Sequence, residues 1–376
     1  MRRALRLVLL AAVALACWAA AARAAPPPVD GRAYLVLDAR TGDVLAAQNA
    51  HERLPIASIT KLMTVLIALQ RHRLTDVVTV DPRAAAVGES TIDLAPGERL
   101  TVHDLVEGAL IQSANDAADA LALSVAPDFP AFATLMNAEA ARLGLRDSHF
   151  VRPDGLDAPG EYSSAADVTT LARDVMRIPF VRQTVRQETA TIGGDRVLHT
   201  WDDLLGVVPN LLGVKTGHTD EAGWCQVAAV RGRGVTVYAT LLGSPDRSER
   251  NASLESLLQW GLAQFRVVPA VQAGRTYATV RLPYGRSPVR LVASRPLRVV
   301  ARVGHPLSER VVARAAAALP VRRGQVLGRV EVRDGAHVLG VRDLVAARSV
   351  ARPTLAGRLG FYAGRALHHL AHLFHA

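Results

Sequence analysis

Apolar residues in the first part of the chain follow strand spacing and then helix spacing. Two β-prone runs, residues 33–38 and 44–48, are separated by a glycine-containing turn sequence, which predicts a hairpin. Apolar residues then recur three and four positions apart, which predicts a helix from Ser58 to about Leu69. Residues three apart share a helix face, so this helix is expected to place Ser58 and Lys61 side by side.

The middle of the chain is helical, and strands follow it. Helical spacing, broken by prolines, predicts helices at residues 103–111, 115–125, 130–143 and 164–176, which form a mostly helical subdomain. Two β-prone runs at 224–231 and 235–242 predict a second hairpin, and a helix is expected near 247–265. Residues 25–266 are therefore expected to form one α+β domain, with an antiparallel sheet and a helical subdomain.

The pattern changes near residue 267. Short valine-rich runs, such as 277–281, 297–303 and 326–332, alternate with Gly and Pro, so residues 267–350 are expected to form a small β domain. The segment 351–376 is predicted to be an amphipathic helix. Its apolar face holds Leu355, Leu359, Tyr362, Ala366, Leu367, Leu370, Leu373 and Phe374, and its polar face holds Arg358, Arg365, His368, His369, His372 and His375. Only Phe361 is out of place. The pattern fits an interfacial membrane helix or a helix packed on the β domain.

The N-terminus has the pattern of an export signal. Two arginines precede an apolar run and Ala22-Arg23-Ala24, which predicts a signal peptide over residues 1–24, with an uncleaved membrane anchor as the alternative. The residues before Cys17 fit a lipoprotein processing site poorly. Cys225 is then the one cysteine of the mature protein, which excludes an intramolecular disulfide.

Charge is distributed unevenly along the chain. The net charge of +10 conceals a C-terminal region, residues 266–376, with 19 Arg and four acidic residues, while residues 25–265 carry about −9. A basic region of this kind is expected to meet an anionic surface. Export and the scarcity of aromatic residues among these arginines argue against nucleic acid, so anionic membrane lipid is the expected partner.

Lysine is almost absent from this basic protein. Of 44 basic residues, 42 are Arg and only Lys61 and Lys215 are Lys. An arginine stays protonated in proteins, whereas a buried lysine can lose its proton and act as a base. Both lysines also lie in motifs, Ser58-Ile59-Thr60-Lys61 and Lys215-Thr216-Gly217, so chance retention on a solvated surface is the weaker interpretation.

The two lysine motifs and Ser113-Ala114-Asn115 form the SxxK, SxN and KTG set of serine acyl transferases. On these motifs, and on Pro153-Asp154-Gly155-Leu156 and Ala222-Gly223-Trp224-Cys225, the chain resembles the D-alanyl-D-alanine carboxypeptidase family, the small penicillin-binding proteins. The resemblance implies a penicillin-binding, β-lactamase-like fold without a metal or cofactor. It also implies removal of the terminal D-alanine from peptidoglycan stem pentapeptides, with β-lactams as inhibitors.

Chemistry and the resemblance together assign roles to these residues. A serine hydroxyl needs a base, so Ser58 is the expected nucleophile and Lys61, with its pKa lowered by burial and by the charge of Lys215, the expected base. From the resemblance, Ser113 would pass a proton towards the leaving D-alanine and Asn115 would hold Lys61 and the substrate amide. The expected substrate-binding residues are Thr216, Gly217, His218, Thr219 and Arg250, with the N–H groups of Ser58 and His218 as the oxyanion hole.

Several alternatives stay open at this point. Arg250 suits a substrate carboxylate but is equally compatible with a surface salt bridge. An endopeptidase that cuts cross-links, or a wall-binding, shape-maintaining module of low activity, would share the motifs, whereas a β-lactamase would need a deacylating Glu that is not evident. Residues 199–203 depart from the Asn-rich stretch of many family members, which leaves substrate fit on that side open.

The histidines of the tail favour pH-sensitive membrane contact over metal ligation. The expected location is the periplasm, on the outer face of the cytoplasmic membrane.

Overall fold

A computed structural model describes residues 25–373, with side chains described as far as residue 364. The predicted signal peptide, residues 1–24, lies outside the described residues. Over the described chain, the fold divides between Gln264 and Phe265 into two compact units.

The N-terminal unit contains nine strands among its described residues. They are β1 (Ala33–Asp38), β2 (Val44–Gln48), β3 (Val77–Thr79), β4 (Arg99–Thr101), β5 (Thr189–Ile192), β6 (Arg196–His199), β7 (Leu211–Thr219), β8 (Gly223–Gly232) and β9 (Val235–Ser244). Five of them form an antiparallel sheet in the order β2-β1-β9-β8-β7, and the pairs β3–β4 and β5–β6 form two separate small sheets. The strand β7 therefore lies at an edge of the main sheet.

The helices of this unit cover the sheet and build the helical subdomain. They are α1 (Lys61–Arg71), α2 (Pro82–Ala85), α3 (Val102–Leu110), α4 (Asn115–Val125), α5 (Phe129–Leu143), α6 (Ala165–Val175), α7 (Pro179–Thr184) and α8 (Arg247–Ala263). Successive side chains of a strand point to opposite faces of its sheet. On β9, Val237 accordingly packs near Gly261 of α8, while the Thr240 hydroxyl lies 2.6 Å from that of Thr169 on α6. The sheet is thus enclosed between α8 and α6, and the predicted α+β fold with a helical subdomain is confirmed.

The predicted helix from Ser58 differs at its start. Residues Ala57–Thr60 form a 3₁₀ turn, and the α-helix begins only at Lys61. Ala57 has φ of +50°, a left-handed conformation that an α-helix does not accommodate. In a 3₁₀ turn, side chains three positions apart eclipse one another, so the expected juxtaposition of Ser58 and Lys61 is retained.

The C-terminal unit is mainly β-structure. Its strands are β10 (Phe265–Val271), β11 (Thr276–Val280), β12 (Val289–Ala293), β13 (Leu297–Arg302), β14 (Ser308–Ala313), β15 (Val326–Asp334) and β16 (His337–Ala346), followed by helix α9 (Leu355–Leu373). The pair β10–β13 lies beside a five-stranded antiparallel sheet in the order β11-β12-β16-β15-β14, with a separate hydrophobic core. Within the described residues, no helix is both long and apolar enough to span a bilayer.

The helix α9 contacts its own unit through a cluster of aromatic rings around Tyr284. The ring of Phe361 meets that of Tyr284 edge-on, with centroids 5.9 Å apart, and Tyr362 lies 6.1 Å from the same ring. On the helical wheel Phe361 was the apolar residue on the wrong side. Its contact with Tyr284 explains that position, since Phe361 faces the β domain rather than the apolar stripe.

Candidate active site

A cleft of about 460 Å³ opens between the helical subdomain and β7. Ser58, Ser113 and Asn115 line it from the helical side, and Thr216 and Gly217 line it from the strand. The three motifs, 55 and 102 residues apart in the sequence, therefore meet around one cavity.

Two glycines hold the 3₁₀ turn that carries Ser58. A Cβ on Gly217 would lie 2.8 Å from the Ile56 carbonyl oxygen and 3.2 Å from the Ser58 nitrogen. A Cβ on Gly155, where φ is +79°, would lie 2.2 Å from the Ala57 carbonyl oxygen. Backbone on both sides thus approaches the turn too closely for any other residue type, and this fixes the serine.

Lys61 is completely buried beneath the cleft, and its Nζ makes three hydrogen bonds. Nζ lies 2.7 Å from Ser58 Oγ, 2.7 Å from Asn115 Oδ1 and 2.6 Å from the Asp154 carbonyl oxygen. A neutral amine has two N–H donors and one lone pair, and both the amide oxygen and the carbonyl oxygen can only accept. These two acceptors therefore take the two N–H groups and leave the lone pair directed at the Ser58 hydroxyl.

The surroundings of Lys61 favour the neutral amine. Burial lowers the pKa of Lys61 from its ordinary 10.5 to about 8, against the opposing effect of the carboxylates of Asp154 and Asp119. A base with a pKa near the working pH combines a useful neutral fraction with a useful proton affinity. The lysine of the SxxK motif thus meets the electrostatic requirement for a general base.

Ser113 and Lys215 form a second hydroxyl–amine pair across the cleft. Lys215 Nζ donates to Ser113 Oγ at 2.7 Å and to the Thr216 carbonyl oxygen at 2.9 Å. Ser113 has φ of +61°, an uncommon conformation for a non-glycine residue, which turns its side chain towards the strand. Burial, and then the charge of Lys61, lowers the pKa of Lys215 well below its ordinary range. The cleft thus holds two neighbouring hydroxyl–amine pairs.

Asn115 links Lys61 to the far wall of the cleft. It is the first residue of α4, its Oδ1 accepts from Lys61, and its Nδ2 donates to the Gly88 carbonyl oxygen at 2.9 Å. Its backbone N–H donates to the Ser90 carbonyl oxygen at 2.7 Å. The amide is therefore held at both ends, which fixes the oxygen that orients the lysine.

Two residues predicted to bind substrate have other partners. The Thr219 hydroxyl donates to Asp157 Oδ1 at 2.6 Å, and Thr219 does not line the cleft among the described residues. Arg250 does line the cleft, but it is only 1% exposed and donates to Asn251 Oδ1 and Asp203 Oδ2 at 2.6 and 3.1 Å. Arg250 is thus neither a surface salt bridge nor a free side chain.

Sequence reasoning missed part of the cleft wall. Glu89, Ser90, Trp201, Trp224 and Arg247 all line it. Trp201 lies in the stretch that departs from the family pattern, and Arg247 is one helical turn before Arg250. That spacing is the signal that would have identified Arg247.

Asp119 is a second omission, below the cleft. It follows Asn115 by one helical turn on α4, is 1% exposed, and its Oδ1 has no hydrogen-bond partner among the described residues. Burial, and then the charge of Asp154, raises the pKa of Asp119 to about 8. A buried carboxyl whose charge acts on Lys61 therefore lies one helical turn from Asn115, the residue that orients the lysine.

Cys225 is fully buried, and burial raises the pKa of its thiol to about 11, so it remains protonated and unreactive. Within residues 25–364, no group of three or more His, Cys, Asp or Glu side chains is arranged to hold a metal ion. The histidines at 368, 369, 372 and 375 lie outside the described side chains.

Comparison with known proteins gives consistent matches. A profile of peptidase family S11, described as D-alanyl-D-alanine carboxypeptidase, matches residues 20–246. The D-alanyl-D-alanine carboxypeptidase DacD of Salmonella typhimurium is 32% identical, over 90% of this chain and 90% of that protein. DacA of Escherichia coli K12 is 30% identical, over 91% of this chain and 89% of that protein.

Solved structures agree with these sequence matches. Penicillin binding protein 6B from Escherichia coli has a TM-score of 0.65 and 27% identity, over 87% of this chain and 98% of that chain. A mutant of the Streptomyces K15 DD-transpeptidase has a TM-score of 0.60 and 29% identity, over 63% of this chain and 99% of that chain. The first match spans most of this chain, whereas the second spans less than two thirds of it.

Proposed function

The chain belongs to the D-alanyl-D-alanine carboxypeptidase family, and from this we propose that it hydrolyses the terminal D-alanine from peptidoglycan stem pentapeptides through an acyl-enzyme on Ser58. The observation that carries the proposal is the 2.7 Å contact between Ser58 Oγ and the buried amine of Lys61. Penicillin binding follows from the same chemistry, because a β-lactam carbonyl acylates the same serine and forms an ester that is slow to hydrolyse.

In the acylation step, Ser58 Oγ attacks the carbonyl carbon of the penultimate D-alanine while its proton passes to neutral Lys61. The carbonyl oxygen gains negative charge in this step and needs donors held in advance. The backbone N–H groups of Ser58 and His218 suit that role, since the contact between Gly217 and the Ser58 turn brings the two backbone segments together.

Collapse of the tetrahedral intermediate breaks the C–N bond, and the departing amine must receive a proton. Ser113 supplies it from its hydroxyl, which Lys215 reprotonates through their hydrogen bond, and the proton that Lys61 took from Ser58 passes on to Lys215, so that Lys61 is neutral again. In deacylation, a water molecule attacks the ester and gives its proton to Lys61, which returns it to Ser58 Oγ as the shortened peptide leaves. Atoms and protons balance over the two steps, and no cofactor is required.

The substrate peptide is expected to extend along β7. This strand is at the edge of the sheet, and an extended peptide can add to such an edge through main-chain hydrogen bonds. Thr216 and Gly217 expose backbone and a hydroxyl to the cleft, while Arg250 behind them supplies positive charge for a free carboxylate.

The test is a product analysis with the mature chain. A pentapeptide ending in D-Ala-D-Ala is expected to release free D-alanine, and intact-protein mass spectrometry is expected to show one penicillin adduct on Ser58. The matched control is Ser58→Ala, which should lose both activities. Penicillin labelling that survives in Ser58→Ala, or ligand binding without D-alanine release, would reject the enzyme in favour of a wall-binding module. Conversion of cross-linked muropeptide dimers to monomers without D-alanine release would indicate an endopeptidase.

We also propose export to the periplasm and attachment to the membrane surface through α9. The helix exposes Leu355, Leu359 and Tyr362, which are 78%, 70% and 59% exposed. These residues fall on one helical face, and the unit that carries the helix is strongly basic. An exposed apolar stripe beside positive charge suits a surface of anionic lipid.

Vesicle flotation tests the attachment. The mature chain should float with vesicles that contain anionic lipid, and deletion of residues 355–376 should abolish flotation while D-alanine release is retained. Leu359→Glu is a milder variant that keeps the helix but charges its apolar face. Flotation of the truncated chain equal to that of the full chain would reject α9 as the anchor.

A further inference from the structure

The side of the cleft next to Ser113 is bordered by a bridge of side chains. Trp201 Nε1 donates to the Gln112 carbonyl oxygen at 2.9 Å, which ties the indole to the residue before Ser113. The Arg247 guanidinium carbon lies 5.5 Å from the centroid of the Trp201 ring and 5.8 Å from that of Trp224. The bridge therefore runs from the helical wall of the cleft to its strand wall, and Trp201, Arg247 and Trp224 all face the cavity.

Asp203 holds the bridge in place. Its carboxylate accepts hydrogen bonds from Arg247 Nε at 2.7 Å, Asn251 Nδ2 at 2.9 Å and Arg250 Nη2 at 3.1 Å. An arginine held by a carboxylate and flanked by two indoles has little rotational freedom, and cation–π contacts add to its stabilisation. The bridge is thus a held part of the cleft wall, with Trp201 still 47% exposed.

The position of the bridge relates it to the leaving group. Under the proposed function, on which this step depends, Ser113 protonates the departing amine, so the residue beyond the scissile bond lies on the Ser113 side. Each further residue of an extended chain needs about 3.3–3.6 Å of free length. Trp201 is anchored on Gln112, the residue before Ser113, and so borders the path that a longer leaving group would need.

The guanidinium groups at the bridge outnumber the carboxylate that pairs with them. Arg247 and Arg250 supply two positive groups, Asp203 is the carboxylate paired with both, and Glu89 is a further acidic residue that lines the cleft. Burial raises the pKa of Asp202, which reduces the negative charge that this neighbour contributes. A free α-carboxylate meets favourable potential there, whereas a carboxamide or a peptide bond in the same place does not.

We propose that the Trp201–Arg247 bridge sets leaving-group specificity, restricting cleavage to a single terminal residue that carries a free carboxylate. Trp201 limits the length of the leaving group, and Arg247 recognises the negative charge of its carboxylate. The two residues touch the leaving group but take no part in proton transfer, so they are specificity determinants rather than catalytic residues.

Three substrates separate the two roles: a peptide ending in D-Ala-D-Ala, its C-terminal amide, and a cross-linked dimer extended beyond the scissile bond. For Arg247→Met, which keeps an apolar stem between the indoles, the ratio of kcat/KM for acid over amide is expected to fall about tenfold, the effect of one charge-assisted hydrogen bond. For Trp201→Ala, cleavage of the dimer relative to the pentapeptide is expected to rise at least about tenfold, while Trp201→Phe should stay close to wild type.

The controls separate failure of this inference from failure of the proposed function. Arg83→Ala removes an exposed arginine that is also paired with an aspartate, Asp81, at a site that does not line the cleft, and should leave both ratios unchanged. Penicillin acylation of Ser58 reports an intact site in every variant. A wild type that neither acylates nor releases D-alanine would overturn the proposed function. If the wild type is active but the acid-over-amide ratio is unchanged in Arg247→Met and the dimer-over-pentapeptide ratio is unchanged in Trp201→Ala, the proposed role of the bridge is overturned while the proposed function stands.

Discussion

The pH dependence of acylation should follow the neutral fraction of Lys61. With a pKa of about 8, roughly one amine in ten is neutral at pH 7, against about one in three thousand for a lysine at 10.5. Burial therefore makes the base available about three hundred times more often at neutral pH. Below pH 8, the acylation rate is expected to fall tenfold per pH unit, and above it to approach a plateau.

Asp119→Asn is the perturbation that tests the origin of this pKa. The ionised Asp119 carboxylate raises the pKa of Lys61, so an isosteric amide that carries no charge should lower it. Because the pKa of Asp119 is itself raised to about 8, this carboxyl is largely neutral at pH 7, so the profile is expected to move to lower pH mainly near and above pH 8, with acylation at pH 7 close to that of wild type.

The assay is the second-order rate constant for labelling Ser58 with a fluorescent penicillin between about pH 6 and 9, the range that brackets the base. Asp195→Asn, an exposed aspartate in the turn between β5 and β6, is the matched control and should reproduce the wild-type profile. A limb that moves to higher pH in Asp119→Asn, or one that does not move, would refute the assignment of Asp119 as a charge that acts on Lys61.

Three further results are expected. Lys61→Arg should abolish penicillin labelling, because guanidinium does not release its proton, while Lys215→Arg should leave a measurable remnant; equal losses would contradict the division of roles. Gly217→Ala should slow acylation at least about tenfold, because its Cβ would lie 3.2 Å from the Ser58 nitrogen; a wild-type rate would show that the contact does not fix the turn. Since the pKa of Asp119 is raised to about 8 in the folded state, wild-type stability should fall as pH rises from about 4 to 8, and Asp119→Asn should lose less Tm between acidic and alkaline buffer.

The strands and helices with regular spacing were predictable from the sequence. The predicted hairpin at residues 33–38 and 44–48 has the bounds of β1 and β2, and the predicted helix at 115–125 has those of α4. Here each local pattern agrees with the tertiary structure. The start of the Ser58 helix was predicted wrongly, because the left-handed Ala57 and the close approach of Gly155 and Gly217 are imposed by contacts distant in the sequence.

The residues of the site also divide into those that the sequence identifies and those that only tertiary contacts reveal. Ser58, Lys61 and the KTG strand were identified because each belongs to a motif whose chemistry demands particular residue types. Trp201 was recognised only as a departure from the family pattern, since its partners, Gln112 and Arg247, lie 89 and 46 positions away. Its role depends on tertiary contacts that spacing does not encode.

The two buried lysines imply a trade-off between durability and reactivity. A lysine whose pKa is lowered on folding binds its proton less tightly than in the unfolded chain, so at neutral pH each one weakens the fold. Methionine at either position would relieve that penalty and leave an inert protein. Selection for stability alone would therefore remove both lysines. Every other position with a lysine or arginine is arginine, so the presence of Lys61 and Lys215 indicates selection for catalytic activity.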